Sequence, residues 1–408
     1  MKVVIAGYGV EGRASFLYWR TLGAEVAIAD QRDTLPDAPE EVQLILGADA
    51  FDKLADFDVV VRSPSIRPDR LPYGDKVWSA TNEFLSKCPA PVIGVTGTKG
   101  KGTTSSLVAS ILRASGKNVH LVGNIGVPAL QVLPDIKDGD IVVYELSSFQ
   151  LWDAVRSPHI AVVLGIEPDH LDVHASFEEY VAAKANIARH QTPNDTVIFY
   201  EHNQYSRAIA AQSLGRRVAY PFPIDDVAGS LAIPGAHNVD NASAAVAAVR
   251  EYTDDVELIR RGLAAFSGLP HRLKLVAEKN GVGYYDDSIA TTPGSAIAAM
   301  RSFDAPKVLI LGGSDKGVMY DEVVSVAQQT NTSILAIGQT GEAIYTLCLQ
   351  FGVPVERERE LMPEVVRHAT TMAQGKGVVL LSPASASFDQ YRSYSDRGDQ
   401  FIKAVEEL

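Results

Sequence analysis

The sequence predicts an α/β protein built from three successive units, each a mostly parallel sheet covered by helices. Three observations predict it. Short apolar, β-branched runs recur along the chain, stretches of helical periodicity separate them, and glycine turns join a strand to the following helix. That βαβ rhythm belongs to parallel sheets. At 408 residues the chain is too long for one ordinary domain.

The first unit, residues 1–89, opens with a strand at Val3–Ala6 and the turn Gly7-Tyr8-Gly9-Val10-Glu11-Gly12. A helical stretch and a strand from Glu25 to Ala29, ending in Asp30, come next; Val59-Val60-Val61 then runs into Ser63-Pro64-Ser65. Cys88-Pro89-Ala90-Pro91 is a stiff linker, because two prolines fix φ and forbid a helix. The second unit, residues 90–268, begins with a strand at Val92–Val95, a glycine-rich loop and a helix from Thr103 to Ala114. Further strands are expected at Ile141–Tyr144, Ile160–Leu164 and Thr196–Tyr200. Gly268-Leu269-Pro270 marks the next boundary, and residues 269–408 alternate helical patterns with strands at Lys307–Leu311, Ser333–Ile337 and Gly377–Leu381.

A hydrophobic content of 46% supplies several cores. The net charge of −13 disfavours non-specific nucleic-acid binding, which needs excess lysine and arginine to displace phosphate counterions. No apolar run reaches the roughly 18 residues of a membrane span. The N-terminus lacks the longer apolar stretch of an export signal, so a cytoplasmic protein is expected. Two distant cysteines, Cys88 and Cys348, imply neither a disulfide framework nor a zinc site.

The first glycine turn, with Asp30 closing the next strand, matches the dinucleotide fingerprint, so an NAD-dependent oxidoreductase has to be weighed. Many nucleotide and sugar-nucleotide sites use the same turn. The second loop is more specific: Gly94-Val95-Thr96-Gly97-Thr98-Lys99-Gly100-Lys101-Gly102-Thr103-Thr104 lies between a strand and a helix. Its backbone N–H groups and the helix N-terminus suit a triphosphate, with Lys101 as the point charge. It departs from GxxxxGK[ST], since Val95 stands at the first glycine and Gly102 follows Lys101.

Further strings follow in order: Gly123-Asn124-Ile125-Gly126, Glu145-Leu146-Ser147-Ser148-Phe149-Gln150-Leu151, Asp169-His170-Leu171-Asp172, Gly235-Ala236-His237-Asn238, Gly268-Leu269-Pro270-His271-Arg272, and Leu381-Ser382-Pro383-Ala384-Ser385-Ala386-Ser387-Phe388-Asp389-Gln390. With the phosphate loop, they make essentially the whole chain resemble the Mur ligase family. That resemblance implies a three-domain architecture: a Rossmann-like N-terminal domain for the UDP-substrate, a central P-loop ATPase-type domain, and a C-terminal Rossmann-like domain for the amino acid. It also implies ATP-dependent amide-bond formation through an acyl phosphate, by a monomer acting on UDP-N-acetylmuramoyl-L-alanine and glutamate.

By the same resemblance, ATP meets Gly97, Thr98, Lys99, Gly100, Lys101, Gly102, Thr103 and Thr104, with Asn241 at the adenine, Arg272 at phosphate and Asp287 at the ribose. Two Mg²⁺ ions are expected on Glu145, His170, a carbamylated Lys184 and Thr103, the last standing in for a hydroxyl at Gly102. Lys101, His170, Lys184 and Arg272 carry the catalytic roles. Gly9, Val10, Asp30, Arg32, Ser63 and Asn124 would hold the UDP-substrate, and Thr291, Lys316, Ser387 and Tyr394 the glutamate. Ile289 takes the place of a lysine, and Tyr394 of a phenylalanine, common in D-glutamate-adding members. D-glutamate is the expected amine and L-glutamate the alternative. A folylpolyglutamate-type ligase, an oxidoreductase and a catalytically silent nucleotide-binding protein are the remaining rivals.

Overall fold

The computed structural model describes every residue except Pro234 and Lys316. The first sheet is formed by β1 (Lys2–Ala6), β2 (Glu25–Asp30), β3 (Leu44–Leu46), β4 (Val59–Arg62) and β5 (Val77–Ser79), parallel throughout in the order β3-β2-β1-β4-β5. The second contains β6 (Val92–Thr96), β7 (Val119–Gly123), β8 (Ile141–Glu145), β9 (Ile160–Val163), β10 (Thr196–Tyr200) and β11 (Arg216–Tyr220), also parallel, ordered β11-β10-β9-β6-β8-β7. The third holds β12 (Lys274–Lys279), β13 (Val282–Asp286), β14 (Lys307–Gly312), β15 (Thr332–Ile337), β16 (Val355–Arg357) and β17 (Gly377–Leu381), ordered β12-β13-β17-β14-β15-β16. Only its β12–β13 pair is antiparallel.

Each sheet has a point where neighbouring strands send their connections to opposite sides, and ligands of open α/β sheets collect outside the carboxyl ends of such strands. In the first sheet these are β1 and β4: Gly7 follows one, Ser63 the other, and the Ser63 hydroxyl donates to the Gly7 carbonyl at 2.6 Å. In the second they are β6 and β9, whose following residues Gly97 and Leu164 abut. In the third they are β14 and β17, where the Gly312 N–H donates to Pro383 O and the Ser314 N–H to Ala386 O, both at 2.9 Å.

Contacts divide the chain into two compact units, residues 1–232 with 236–266, and 233–235 with 267–408. Within the larger, one apolar cluster runs from Ile5 and Phe16 of the first layer through Phe84 to Tyr144 and Tyr180. The helix Lys101–Ala114 packs with the helix Val256–Ala265 at very close range, because position 262 is a glycine. A Cβ there would lie 2.4 Å from Ile111 Cα. The Ser110 hydroxyl donates to the Gly262 carbonyl at 2.7 Å, reinforcing the approach. In the smaller unit, Leu309 and Leu311 of β14 enter one buried cluster and Val308 and Ile310 another. This is the period-two alternation of a strand covered on both faces.

Candidate active site

The phosphate loop leaves β6 at Thr96, and its helix begins at Lys101, two residues before the expected Thr103. Gly100 caps that helix in the left-handed region at φ +84°, where a Cβ would also lie 2.4 Å from Asn241 Oδ1. Glycine is therefore required by conformation and by space. Thr98 anchors the loop, its N–H donating to Gly165 O at 2.8 Å and its hydroxyl lying 3.0 Å from both Glu167 O and the Tyr180 hydroxyl. Thr104 Oγ1 donates to Asn241 Oδ1 at 3.3 Å, so the residue expected at the adenine borders the loop. Thr103 is buried in the helix's first turn, while Lys99 precedes it.

Two lysines converge on one carbonyl. Lys101 Nζ donates to Gly97 O at 3.1 Å and Thr98 O at 3.0 Å, while Lys184 Nζ donates to the same Gly97 O at 2.9 Å. Lys184 projects from the helix Phe177–Arg189, is 1% exposed, and sits 4.7 Å from the centre of the Tyr180 ring. Burial, and then the neighbouring Lys101 charge, drive its pKa well below the ordinary lysine value, against the opposing pull of Asp169 and Glu145. The lysine is thereby held less basic than a solvent-exposed one.

Glu145 ends β8 and is 2% exposed. Asn124 Nδ2 donates to its Oε1 at 3.1 Å, whereas Oε2 is buried with no hydrogen-bond partner. A buried carboxylate oxygen left unpaired within electrostatic reach of Lys184 fits a hard divalent cation. His170 lies in the loop after β9, seven residues beyond Val163 rather than at the strand edge, with φ +54° and its side chain about half exposed. Its ring faces Phe149 at 5.0 Å and Tyr180 at 6.5 Å, the ring Lys184 also covers. Among the described residues, no three His, Cys, Asp or Glu side chains are gathered for a metal. Complete ligation would thus need Lys184 or a hydroxyl such as Thr103.

Comparison with known proteins bears directly on this geometry. The Mur ligase middle-domain family model matches residues 95–222, and that of the Mur ligase glutamate ligase domain matches residues 271–385. The chain is 36% identical over 452 aligned residues to UDP-N-acetylmuramoylalanine–D-glutamate ligase of Acetivibrio thermocellus, covering 100% of this chain and 96% of the relative. It is also 36% identical to the Symbiobacterium thermophilum protein of the same name, covering 100% and 98%. The chain belongs to the Mur ligase family. A crystal structure of a UDP-N-acetylmuramate–alanine ligase from Thermotoga maritima, 18% identical, shares the fold with a TM-score of 0.64 over 100% of this chain and 99% of that one. This Mur ligase is an ATP-dependent carbon–nitrogen ligase, and ATP and magnesium follow from that membership.

At the ligase's first glycine turn, Gly9 and the exposed Val10 open the helix Val10–Thr21. Asp30 accepts the Tyr8 N–H at 2.9 Å and the Arg32 fork at 2.9 Å, and Arg32 holds its carboxyl down at about 2. Asn124, expected at the UDP-substrate, is held by Glu145. In the smaller unit, Asp287 is buried, accepting Ser382 Oγ at 2.6 Å and Leu273 N at 3.1 Å, with its carboxyl pushed up to about 7 by burial. Arg272 follows the buried His271, which hydrogen-bonds Asp286 at 2.7 Å. Ser387 Oγ is buried without a partner, Thr291 follows Ile289 in a tight turn, and Tyr394 starts the last helix. Lys316 lies outside the described residues.

Sequence reasoning passed over several buried or charged residues that surround these positions. His174 is 1% exposed, stacks on Phe149 at 5.3 Å and hydrogen-bonds Ser148 Oγ at 3.0 Å. Arg62 and Arg67 flank the Ser63-Pro64-Ser65 string. Arg397 is wholly buried, its Nε donating to Ser288 Oγ at 2.9 Å and its Nη2 to Ser385 O at 3.1 Å. The available signal was charge in otherwise apolar surroundings, as where Arg62 ends a run of three valines.

Proposed function

We propose that this ligase joins D-glutamate to UDP-N-acetylmuramoyl-L-alanine, through an acyl phosphate, in peptidoglycan precursor synthesis. The observation that carries the chemistry is the convergence of Lys101 and Lys184 on the Gly97 carbonyl, at a strand-loop-helix cradle beside the unpaired Glu145 oxygen. Full-length relatives known as UDP-N-acetylmuramoylalanine–D-glutamate ligases support the choice of substrates. Residues 1–89 bind the UDP-substrate, 90–268 bind ATP and 269–408 bind the amino acid, in a monomer of the cytoplasm.

The backbone N–H groups from Gly97 to Thr104 and the helix N-terminus receive the β and γ phosphates, and Lys101 offsets the charge that spreads during transfer. The terminal L-alanine carboxylate attacks the γ-phosphorus and ADP leaves. The glutamate amine then attacks the acyl phosphate, and inorganic phosphate departs. Arg272 binds phosphate with its planar fork, while Thr291, Lys316, Ser387 and Tyr394 hold the glutamate. In its uncharged form the Lys184 amine would add carbon dioxide to give a carbamate with release of one proton, which replaces a cation by an oxygen donor. Magnesium on Glu145, His170, Thr103 and that carbamate would neutralise phosphate oxygens.

Phosphate release with UDP-N-acetylmuramoyl-L-alanine tests the reading. Turnover with D-glutamate should exceed that with L-glutamate, and Lys184→Ala should abolish both in the presence or absence of bicarbonate. Faster turnover with L-glutamate would overturn the choice of amine and leave the phosphoryl chemistry standing. Full activity in Lys184→Ala would remove the carbamate.

A further inference from the structure

Two arginines bracket the loop expected to hold the UDP-substrate, and neither is used by the chemistry above. Arg62, at the end of β4, has a fully buried side chain. Its Nη1 donates to Ile66 O at 2.8 Å and Ser63 O at 3.3 Å, so the loop hangs from it by its carbonyls. Its other edge grips Asp153 through Nε at 2.7 Å and Nη2 at 2.6 Å, and Nη2 also donates to Phe149 O at 3.0 Å. Phe149 is the residue whose ring faces His170 at 5.0 Å and stacks on His174 at 5.3 Å.

Arg67, just past the loop, reaches the same region from its other side. Its Nη1 donates to Val173 O at 2.5 Å, within the loop that carries His170 and His174. Its Nη2 lies 3.2 Å from Glu179 Oε1, on the helix that bears Lys184, and its guanidinium covers Trp152 at 5.1 Å. Trp152 in turn lies 4.2 Å from His174 and donates to Glu179 at 3.3 Å. Both attachments of the 63–67 loop therefore end on residues that fix His170 and the Lys184 helix.

We infer that Arg62 and Arg67 are positioning residues that tie the first domain's nucleotide loop to the loop and helix carrying His170 and Lys184, so that occupancy of the UDP site tightens binding of magnesium–nucleotide in the middle domain. The inference rests on the substrate assignment proposed above. Linkage makes the effect reciprocal: whatever factor UDP applies to magnesium–ADP affinity, magnesium–ADP applies to UDP.

Isothermal titration of the intact protein tests this without turnover, using UDP and Mg²⁺–ADP as probes. In the wild-type protein, saturating UDP should lower the dissociation constant of Mg²⁺–ADP by at least about fivefold, the lower end of usual coupling. Arg67→Met, at a partly exposed side chain, should bring that ratio to near one while each ligand alone still binds. Arg67→Lys keeps the charge but loses the fork, so it should retain only part of the ratio. Asp153→Asn probes the Arg62 side and should lower the ratio too. A purely structural role would lower the melting temperature of Arg67→Met and leave the ratio at its wild-type value, which would overturn the inference. So would UDP binding to the wild-type protein with a ratio of one. Failure of the wild-type protein to bind UDP at all would instead sink the substrate assignment, and this inference with it.

Discussion

The first and second sheets offer the same device, a glycine turn from a central strand into a helix, with an acid in the first turn of one helix and a lysine at the start of the other. In the second, Lys101 opens the helix and Lys184 joins it at Gly97. In the first, the acidic residue of the first turn is Glu11, whose Oε1 accepts Gln150 Nε2 at 2.5 Å while Oε2 is buried unpaired. Burial pushes the Glu11 carboxyl up to about 7. Shared topology makes both turns candidate ligand sites, and on the assignment proposed above the cations select which one takes a triphosphate.

Four substitutions would break or sharpen that contrast. The largest effect is expected from Lys101→Met, which removes the point charge from the second turn. Turnover should fall on the order of 10²–10³-fold, as for loss of one preorganised stabilising donor, with UDP affinity retained. Comparable turnover would show that the loop's backbone suffices.

A second comparison uses the two capping glycines. Gly100→Ala forces a left-handed residue and a contact with Asn241, so it should cost about 1–2 kcal/mol in denaturant unfolding and raise the KM for ATP. Gly9, at φ −84° with no neighbour within 4 Å of a Cβ, should accept alanine for less than about 1 kcal/mol. Equal costs would remove the distinction between a conformationally forced turn and a permissive one.

Glu11→Gln gives the smallest effect, seen in its pH dependence. With a folded pKa of about 7 against a reference of 4.5, the native state holds this proton more tightly than the unfolded chain. The group's contribution to stability therefore falls as pH rises through that window and stays low above it. Glutamine, which can still accept from Gln150, removes the slope. The melting temperature of Glu11→Gln relative to wild type should be higher at pH 8 than at pH 5; the reverse order would show that the carboxylate is stabilised where it lies.

Much of this architecture could be read in advance because buried parallel strands are apolar along their whole length. The ends of β10 and β17 match the expected Thr196–Tyr200 and Gly377–Leu381, and β6 and β8 each run one residue longer than read. The expectation passed over β3, β5 and β16, three-residue edge strands whose partners supply most of the pairing. It also passed over the β12–β13 hairpin, where Lys274, Glu278 and Lys279 dilute the apolar signal.

At the site, Lys101, Glu145 and Lys184 could be picked out because charge beside a glycine loop or at a strand end is conspicuous. The meeting of Lys101 and Lys184 at one carbonyl could not, since it depends on where a helix some 80 residues later docks. His174 was invisible for the opposite reason: a histidine packed among Phe149, Trp152 and Tyr180 looks in sequence like any loop residue.

The glycine at 262 carries this lesson away from the ligands. Because nothing larger than hydrogen fits between it and Ile111, the axis of the helix that begins at Lys101 is set by a spacer of zero thickness on its far side. A single methyl there would act as a shim, tilting the end that carries Lys101 from ten residues away, so the shape of the proposed cradle is stored partly in a helix on its opposite side.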